Sequence, residues 1–148
     1  MRVVVQRVAN ASCKVNNEIT GKIDKGILLF IGFKNTDTKD VFPKVIRKLV
    51  GLRIFEDENG KMNKNISDVN GSFLAISQFT LYGSVSHGMR PSFTEALSYD
   101  LANEYYLDFV NELKKTNIGV ECGIFGADMK IELLNDGPVT ILIDSEDL

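Results

Sequence analysis

The sequence predicts an α/β fold, a single domain in which one layer of helix covers two layers of mixed β-sheet. Its length of 148 residues suits one domain of ordinary size. Strand-like runs outnumber helical runs by about nine to two. The run at residues 26–33 is apolar on both faces, as in a central strand that is covered on both sides. Because two helices cannot cover both faces of so many strands, the strands must partly cover one another.

The composition is that of ordinary globular proteins, with 44% hydrophobic and 25% charged residues. No apolar run approaches the roughly 20 residues of a membrane-spanning helix. Polar residues interrupt the N-terminus after three valines, unlike the layout of a signal peptide. We therefore expect a cytoplasmic protein that does not associate with a membrane.

Charge and the scarcity of two residue types restrict the chemistry. The chain has 17 Lys and Arg against 20 Asp and Glu, and its net charge of −3 weighs against a broad nucleic-acid-binding surface. Its one histidine is His87, and Cys13 and Cys122 lie far apart, outside any C-x-x-C pair. Structural zinc sites draw on clusters of Cys and His. We therefore expect no metal and no cofactor.

Nine strands are predicted from alternation, from apolar runs and from turn residues. Asn16-Asn17, between the second and third of them, is typical of a two-residue hairpin turn. The predicted strands cover residues 3–8, 11–15, 18–23, 26–33, 53–55, 71–80, 120–125, 129–134 and 139–144. The domain fills residues 1–148, with an acidic tail after about residue 144.

Two helices are predicted from apolar residues at helical spacing. The first begins at residue 38 or 40 and ends at Val50, and Pro43 suits its first turn, where a missing N–H loses no hydrogen bond. The second covers residues 98–115. Its apolar stripe consists of Leu101, Tyr105, Phe109 and Leu113, and it is widened by Ala102, Tyr106 and Val110.

The segment Ser77-Gln78-Phe79-Thr80 is the first candidate for chemistry. It ends a buried strand that becomes polar towards its C-terminal end, with Gln78 and Thr80 on one face and Ser77 and Phe79 on the other. Such a strand end can place hydrogen-bonding groups in a pocket. The alternative is that Gln78 and Thr80 only bond local backbone.

A Thr80 nucleophile would need an adjacent base. The one imidazole, His87, lies seven residues on, in a loop rich in Gly and Ser, where a solvated histidine is the simpler interpretation. An oxyanion site made of backbone N–H groups needs no special side chain and stays open.

The segment Asn135-Asp136-Gly137-Pro138-Val139-Thr140 is the second candidate. Its composition is typical of a turn between the last two strands. The alternative is a cis Gly137-Pro138 bond, which would turn two neighbouring carbonyl groups the same way.

Six blocks of residues resemble the D-aminoacyl-tRNA deacylases, also called D-tyrosyl-tRNA deacylases. The resemblance covers nearly the whole chain, and the Ser-Gln-x-Thr and Asn-x-Gly-Pro-Val-Thr blocks together are highly specific. The blocks are Gln6-Arg7-Val8, Gly51-Leu52-Arg53-Ile54-Phe55, Gly60-Lys61-Met62-Asn63, Ser77-Gln78-Phe79-Thr80-Leu81, Gly88-Met89-Arg90-Pro91-Ser92-Phe93 and Asn135-Asp136-Gly137-Pro138-Val139-Thr140.

This resemblance implies a hydrolase that cleaves the ester between a D-amino acid and the terminal adenosine of tRNA, and glycine mischarged on tRNA as a further substrate. It implies a homodimer in which Gly137-Pro138, in cis and supported by Arg7, enters the partner's active site and excludes L side chains. It places Ser77, Gln78, Phe79 and Thr80 in the pocket for the adenosine and the ester, with Phe125 and Met129 beside them.

The mechanism implied by the resemblance is attack by water, assisted by the 2′-hydroxyl of the RNA, with backbone N–H groups stabilising the oxyanion. An aminoacyl ester is already activated, so positioning and an oxyanion site can suffice without a protein base. Two alternatives stay open: a non-catalytic module that binds adenosine or the tRNA end, and a small-ester hydrolase with Thr80 as its nucleophile.

Overall fold

The chain forms eight strands and two α-helices in the computed structural model, which describes residues 1–148. No helix is long and apolar enough to cross a membrane. In chain order the elements are β1 (Arg2–Val15), β2 (Glu18–Ile23), β3 (Gly26–Gly32), α1 (Phe42–Gly51), β4 (Phe55–Glu56), β5 (Met62–Lys64), β6 (Ser72–Ser77), α2 (Tyr99–Lys114), β7 (Gly119–Cys122) and β8 (Lys130–Asp144).

The long strand β1 organises the sheet. Its first half pairs antiparallel with β3, its second half pairs with β2, and β8 runs along its other side. The predicted break between residues 8 and 11 was wrong, because β1 changes partner there without a turn. The predicted separation of residues 129–134 from 139–144 was also wrong, because β8 stays paired to β1 on both sides of a bulge. The short strand β5 was not predicted.

The six-stranded sheet has the order β2-β1-β3-β6-β7, with β8 on β1. Strands β3 and β6 are parallel and are buried on both faces, as predicted for residues 26–33. Ile27, Leu29 and Ile31 join a core shared with the helices, whereas Leu28 joins a second core with Cys13. The fold is therefore a layer of helices over one face of the sheet, with strands packed on one another at the second core, as predicted.

Both helices lie close to their predicted positions and pack on the first core. The buried face of α1 consists of Phe42, Val45, Ile46 and Leu49, and Pro43 lies in its first turn. The helix α2 buries Phe109 and Leu113 of the predicted stripe, together with the residues predicted to widen it, Ala102, Tyr106 and Val110. Leu101 is 38% exposed, and Tyr105 is only partly buried. The buried face therefore lies towards the predicted widening residues, because α2 meets the sheet through Tyr106, whose hydroxyl donates to the Ala75 carbonyl at 2.8 Å.

Candidate functional site

A cavity of about 650 Å³ opens at the C-terminal end of β6. Ser77, Gln78 and Phe79 form one side of it, and the start of α2 forms another. Phe125 and Met129, from the segment between β7 and β8, also line it. The structure thus brings together five of the nine predicted site residues.

The strand end differs from the prediction. β6 ends at Ser77, and a 3-10 helix covers Phe79–Tyr82. Gln78 and Thr80 therefore do not share a strand face; instead the Gln78 side chain donates from Nε2 to Thr80 Oγ1. Thr80 itself is exposed and does not line the cavity.

Two backbone N–H groups at the start of the 3-10 helix have no hydrogen-bond partner within the chain. The first N–H groups of a 3-10 helix have no partner inside the helix. Those of Phe79 and Thr80 also take no part in the backbone hydrogen bonds outside the regular elements, whereas Gln78 N–H donates to Ile31. A pair of unsatisfied N–H donors can stabilise a negative oxygen that develops during acyl transfer.

Aromatic rings close the cavity walls. The Phe79 and Phe93 rings lie 5.0 Å apart, and those of Tyr99 and Phe125 lie 5.2 Å apart, both edge to face. Gly126 has a φ of 75°, and a Cβ there would overlap the Tyr99 hydroxyl group and lie 3.0 Å from Cζ. A side chain at position 126 would therefore displace a wall of the cavity.

The Asn135–Thr140 segment forms an outward loop in β8. Residues 136–139 face only Arg7 of β1, because Gln6 pairs with Thr140 and Val8 pairs with Asn135. Asn135 closes the base of this loop: its Oδ1 accepts from the Val139 N–H, and its Nδ2 donates to Thr140 Oγ1, both at 3.0 Å. The Gly137-Pro138 bond is cis, and both residues are exposed.

Arg7, on the neighbouring strand β1, holds the loop in place and is only 5% exposed. Its Nε donates to the Asp136 carbonyl at 2.9 Å, and its Nη1 donates to the Ile54 carbonyl at 2.7 Å. Gly137 has a φ of 130°, and a Cβ there would lie 3.0 Å from Arg7 Nη2. The guanidinium therefore fixes the backbone directly before a position that only glycine fits.

The hairpin that carries Ile54 is held by an exposed network. Asp57 accepts hydrogen bonds from the Asn63 side chain at 2.7 Å and from the N–H groups of Asn59 and Lys61. These bonds, that of Asn63 above all, hold the pKa of the Asp57 carboxyl below its usual value.

The loop and the cavity are separate within one chain. Arg7, Gly137 and Pro138 do not line the cavity of their own chain. A single chain therefore presents two separate features, the cavity at β6 and the loop in β8.

The remaining candidates stay outside the cavity. His87 Nδ1 is hydrogen-bonded with Ser86 Oγ and not with Thr80, so the structure holds no Thr80–His87 pair. Burial raises the pKa of the Cys122 thiol, which keeps it protonated near neutral pH and unsuited as a nucleophile. No group of three metal-ligating side chains forms a metal site.

Three residues of the cavity and the loop were not among the nine predicted site residues. Phe93 and Tyr99 form cavity walls, and Asn135 closes the loop. Phe93 and Asn135 lie in the blocks quoted above, so their motifs were a usable signal. Tyr99 lies just before the helical stripe and carries no such signal.

Known proteins resemble the chain over its whole length. A family model described as D-Tyr-tRNA(Tyr) deacylase matches residues 4–144. A D-aminoacyl-tRNA deacylase of Clostridium acetobutylicum is 51% identical over 146 residues, which are 99% of this chain and 98% of that protein. A D-aminoacyl-tRNA deacylase of Thermosipho africanus is 48% identical, with the same coverage of both chains.

Two solved structures share the fold. One, titled c-Myc DNA Unwinding Element Binding Protein, has a TM-score of 0.91 and 38% identity over 97% of this chain and 98% of its own. The other, titled as a probable eukaryotic D-amino acid tRNA deacylase, has a TM-score of 0.76 over 96% and 97% of the two chains; its 17% identity bears on the fold alone. With a family model over residues 4–144 and relatives near half identity, the chain belongs to the D-Tyr-tRNA(Tyr) deacylase family.

Proposed function

We propose that this enzyme, a D-aminoacyl-tRNA deacylase by its family, hydrolyses the ester at the 3′ end of tRNA in the cavity at the end of β6. Membership of the family over residues 4–144 carries this proposal. The substrate implies the cytoplasm, where aminoacyl-tRNA is made and used. Glycine mischarged on tRNA is proposed as a second substrate, since it has no L side chain to be excluded.

The chemistry uses backbone groups more than side chains. Water attacks the ester carbonyl carbon, the bond to the ribose oxygen breaks, and that oxygen takes a proton. We assign the free N–H groups of Phe79 and Thr80 to the developing oxyanion and the RNA 2′-hydroxyl to the assistance of water. Ser77 and Gln78 position the ester, and Phe79, Phe125 and Met129 contact the adenosine. The two N–H donors and the absence of a histidine partner for Thr80 support this assignment.

Chiral selection is assigned to the loop of a second subunit. Gly137 and Pro138 are exposed, are held by Arg7 and do not line the cavity of their own chain. In a homodimer with active sites at the subunit interface, the loop of one subunit enters the cavity of the other. Its carbonyl groups then hold the substrate amino group and leave no room for an L side chain.

Deacylation of D-tyrosyl-tRNA and L-tyrosyl-tRNA tests the function. We expect rapid release of D-tyrosine and little release of L-tyrosine. Equal rates on both substrates, or no release from either, contradict the proposal. Binding without release indicates a non-catalytic module.

Measurement of molar mass by light scattering tests the dimer, together with activity on dilution. We expect a dimer, and a fall of specific activity and of D/L selectivity together once subunits dissociate. A monomer with undiminished selectivity excludes the shared site.

A further inference from the structure

A second groove continues the substrate cavity along α2. Phe125 forms the shared wall: its ring lies 5.2 Å from Tyr99, on the cavity side, and 5.9 Å from Tyr106, which lines the groove. The groove has a volume of about 450 Å³ and ends at Lys114. Lys114 lies about 18 Å along the helix axis from Ala102, which lines the cavity.

The lining of this groove suits single-stranded nucleic acid. It contains no carboxylate, and its one charged side chain, Lys114, forms no ion pair. Leu107 and Ile124 present apolar surface, being 52% and 48% exposed. The side chains of Asn103 and Asn111 also line it. Apolar walls for base faces, amides for base edges and a cation for phosphate are the groups by which proteins hold unpaired nucleotides.

A larger groove between α1 and α2, of about 830 Å³, does not have this character. Lys39 at one end is bonded to Glu104 and Asp108, and Lys115 at the other is paired with Glu112. Arg47 lines this groove without an ion pair, but the carboxylates Asp108 and Glu112 beside it would repel a phosphate backbone. The charges therefore favour the smaller groove, although the chain as a whole is acidic.

We propose that the groove from Phe125 to Lys114 binds the unpaired nucleotides that immediately precede the terminal adenosine of tRNA. This inference rests on the proposed function, which places that adenosine beside Phe125. Lys114 contacts a phosphate of these nucleotides, and Leu107, Ile124 and Phe125 contact their bases.

Binding of deacylated tRNA tests the groove whether or not the ester is cleaved. We expect Lys114→Gln to weaken binding about threefold to tenfold, the value of one partly exposed charged contact. It should also lower the slope of log affinity against log salt by about 1. Lys115→Gln is the matched control, because it removes the same charge one residue on, in the other groove. Equal effects of the two variants overturn the proposal.

The minimal ester D-tyrosyl-adenosine separates this inference from the proposed function. We expect Lys114→Gln to raise KM for D-tyrosyl-tRNA and to leave the minimal ester unchanged. If the unaltered chain cleaves neither ester, the proposed function fails while the tRNA-binding comparison still decides the groove. If Lys114→Gln affects both esters equally, the groove proposal fails and the function stands.

A second variant tests the apolar wall. Leu107→Glu should weaken tRNA binding more than Leu101→Glu, a change on the same helix outside the groove, while melting temperatures show that both variants fold. If Leu107→Glu instead dissociates a dimer, the groove is a subunit contact and the proposal is overturned.

Discussion

Arg7 donates a hydrogen bond from Nε to the Asp136 carbonyl at 2.9 Å, within the loop in β8 and directly before Gly137. The same guanidinium donates to Ile54 at 2.7 Å, so one buried side chain joins the loop to the β4–β5 hairpin. A lysine could not make both bonds in this planar arrangement.

Arg7→Lys should therefore reduce chiral selectivity more than activity. We expect the ratio of kcat/KM for D- and L-tyrosyl-tRNA to fall at least tenfold, equivalent to about 1.4 kcal/mol, within the range of one charged hydrogen bond. Arg47→Lys, on the exposed face of α1, is the control and should change nothing. An unchanged ratio in Arg7→Lys would refute the role given to the loop.

Thr80→Ala separates the two catalytic mechanisms. If backbone N–H groups and the RNA carry the reaction, the variant loses only the hydrogen bond from Gln78, and kcat should fall less than tenfold. Loss of a true nucleophile costs about 10⁶-fold in kcat in a serine protease. Single-turnover release of D-tyrosine distinguishes the two, and Thr80→Ser, which keeps a hydroxyl group, is the companion variant. A loss of several thousand-fold restored by Thr80→Ser would make Thr80 the nucleophile.

Gly126→Ala should damage the cavity through Tyr99. The new methyl group overlaps the Tyr99 hydroxyl, so the ring must move and KM for D-tyrosyl-tRNA should rise several-fold. Gly60→Ala is matched in backbone conformation, with a φ of 73° against 75°, and has nothing within 4 Å of the added Cβ. It should cost stability of about 1 kcal/mol without changing KM. Adding Tyr99→Phe to Gly126→Ala should recover part of the loss; a doubly altered enzyme no better than Gly126→Ala argues against this contact.

Asp57 should make stability depend on pH at the acidic end. Its pKa is lowered in the folded chain, so its contribution is complete above the unfolded pKa of about 3.9 and is lost as pH falls through the lower folded value. Asp57→Asn should therefore be less stable than the parent near pH 7 and approach it near pH 2. Urea unfolding at both pH values measures this difference. A constant gap between the two proteins would show that the carboxylate charge is not responsible.

Much of the fold follows from local patterns, because the strands and helices carry clear apolar periodicities. Asn16 and Asn17, for example, adopt the left-handed conformation that their turn predicts, with φ values of 50° and 65°. The patterns could not show that β1 continues through residues 8–11, since that depends on which strands pair with it. They also could not show that β6 ends at Ser77, because a 3-10 helix of Phe79–Tyr82 has no distinct periodicity.

The residues that line the cavity were predictable in part, but their arrangement was not. Five predicted residues meet at the cavity because they follow neighbouring ends of β6 and β7. The separation of this cavity from Arg7 and Gly137 depends on contacts between distant parts of β1 and β8. No sequence pattern predicts the hydrogen bond from Arg7 to Ile54, because every residue has a backbone carbonyl group that could accept it.

The two cores are built on the same strands. β1 contributes Val5 to the core shared with the helices and Cys13 to the second core. In the same order, β3 contributes Leu29 and Leu28, and β6 contributes Ala75 and Leu74. If either core lost its packing, one face of these strands would be exposed, and the opposite face of the same strands forms the other core. The protein should therefore melt in a single cooperative transition with equal calorimetric and van't Hoff enthalpies, and its slowest-exchanging amides should lie in these three strands.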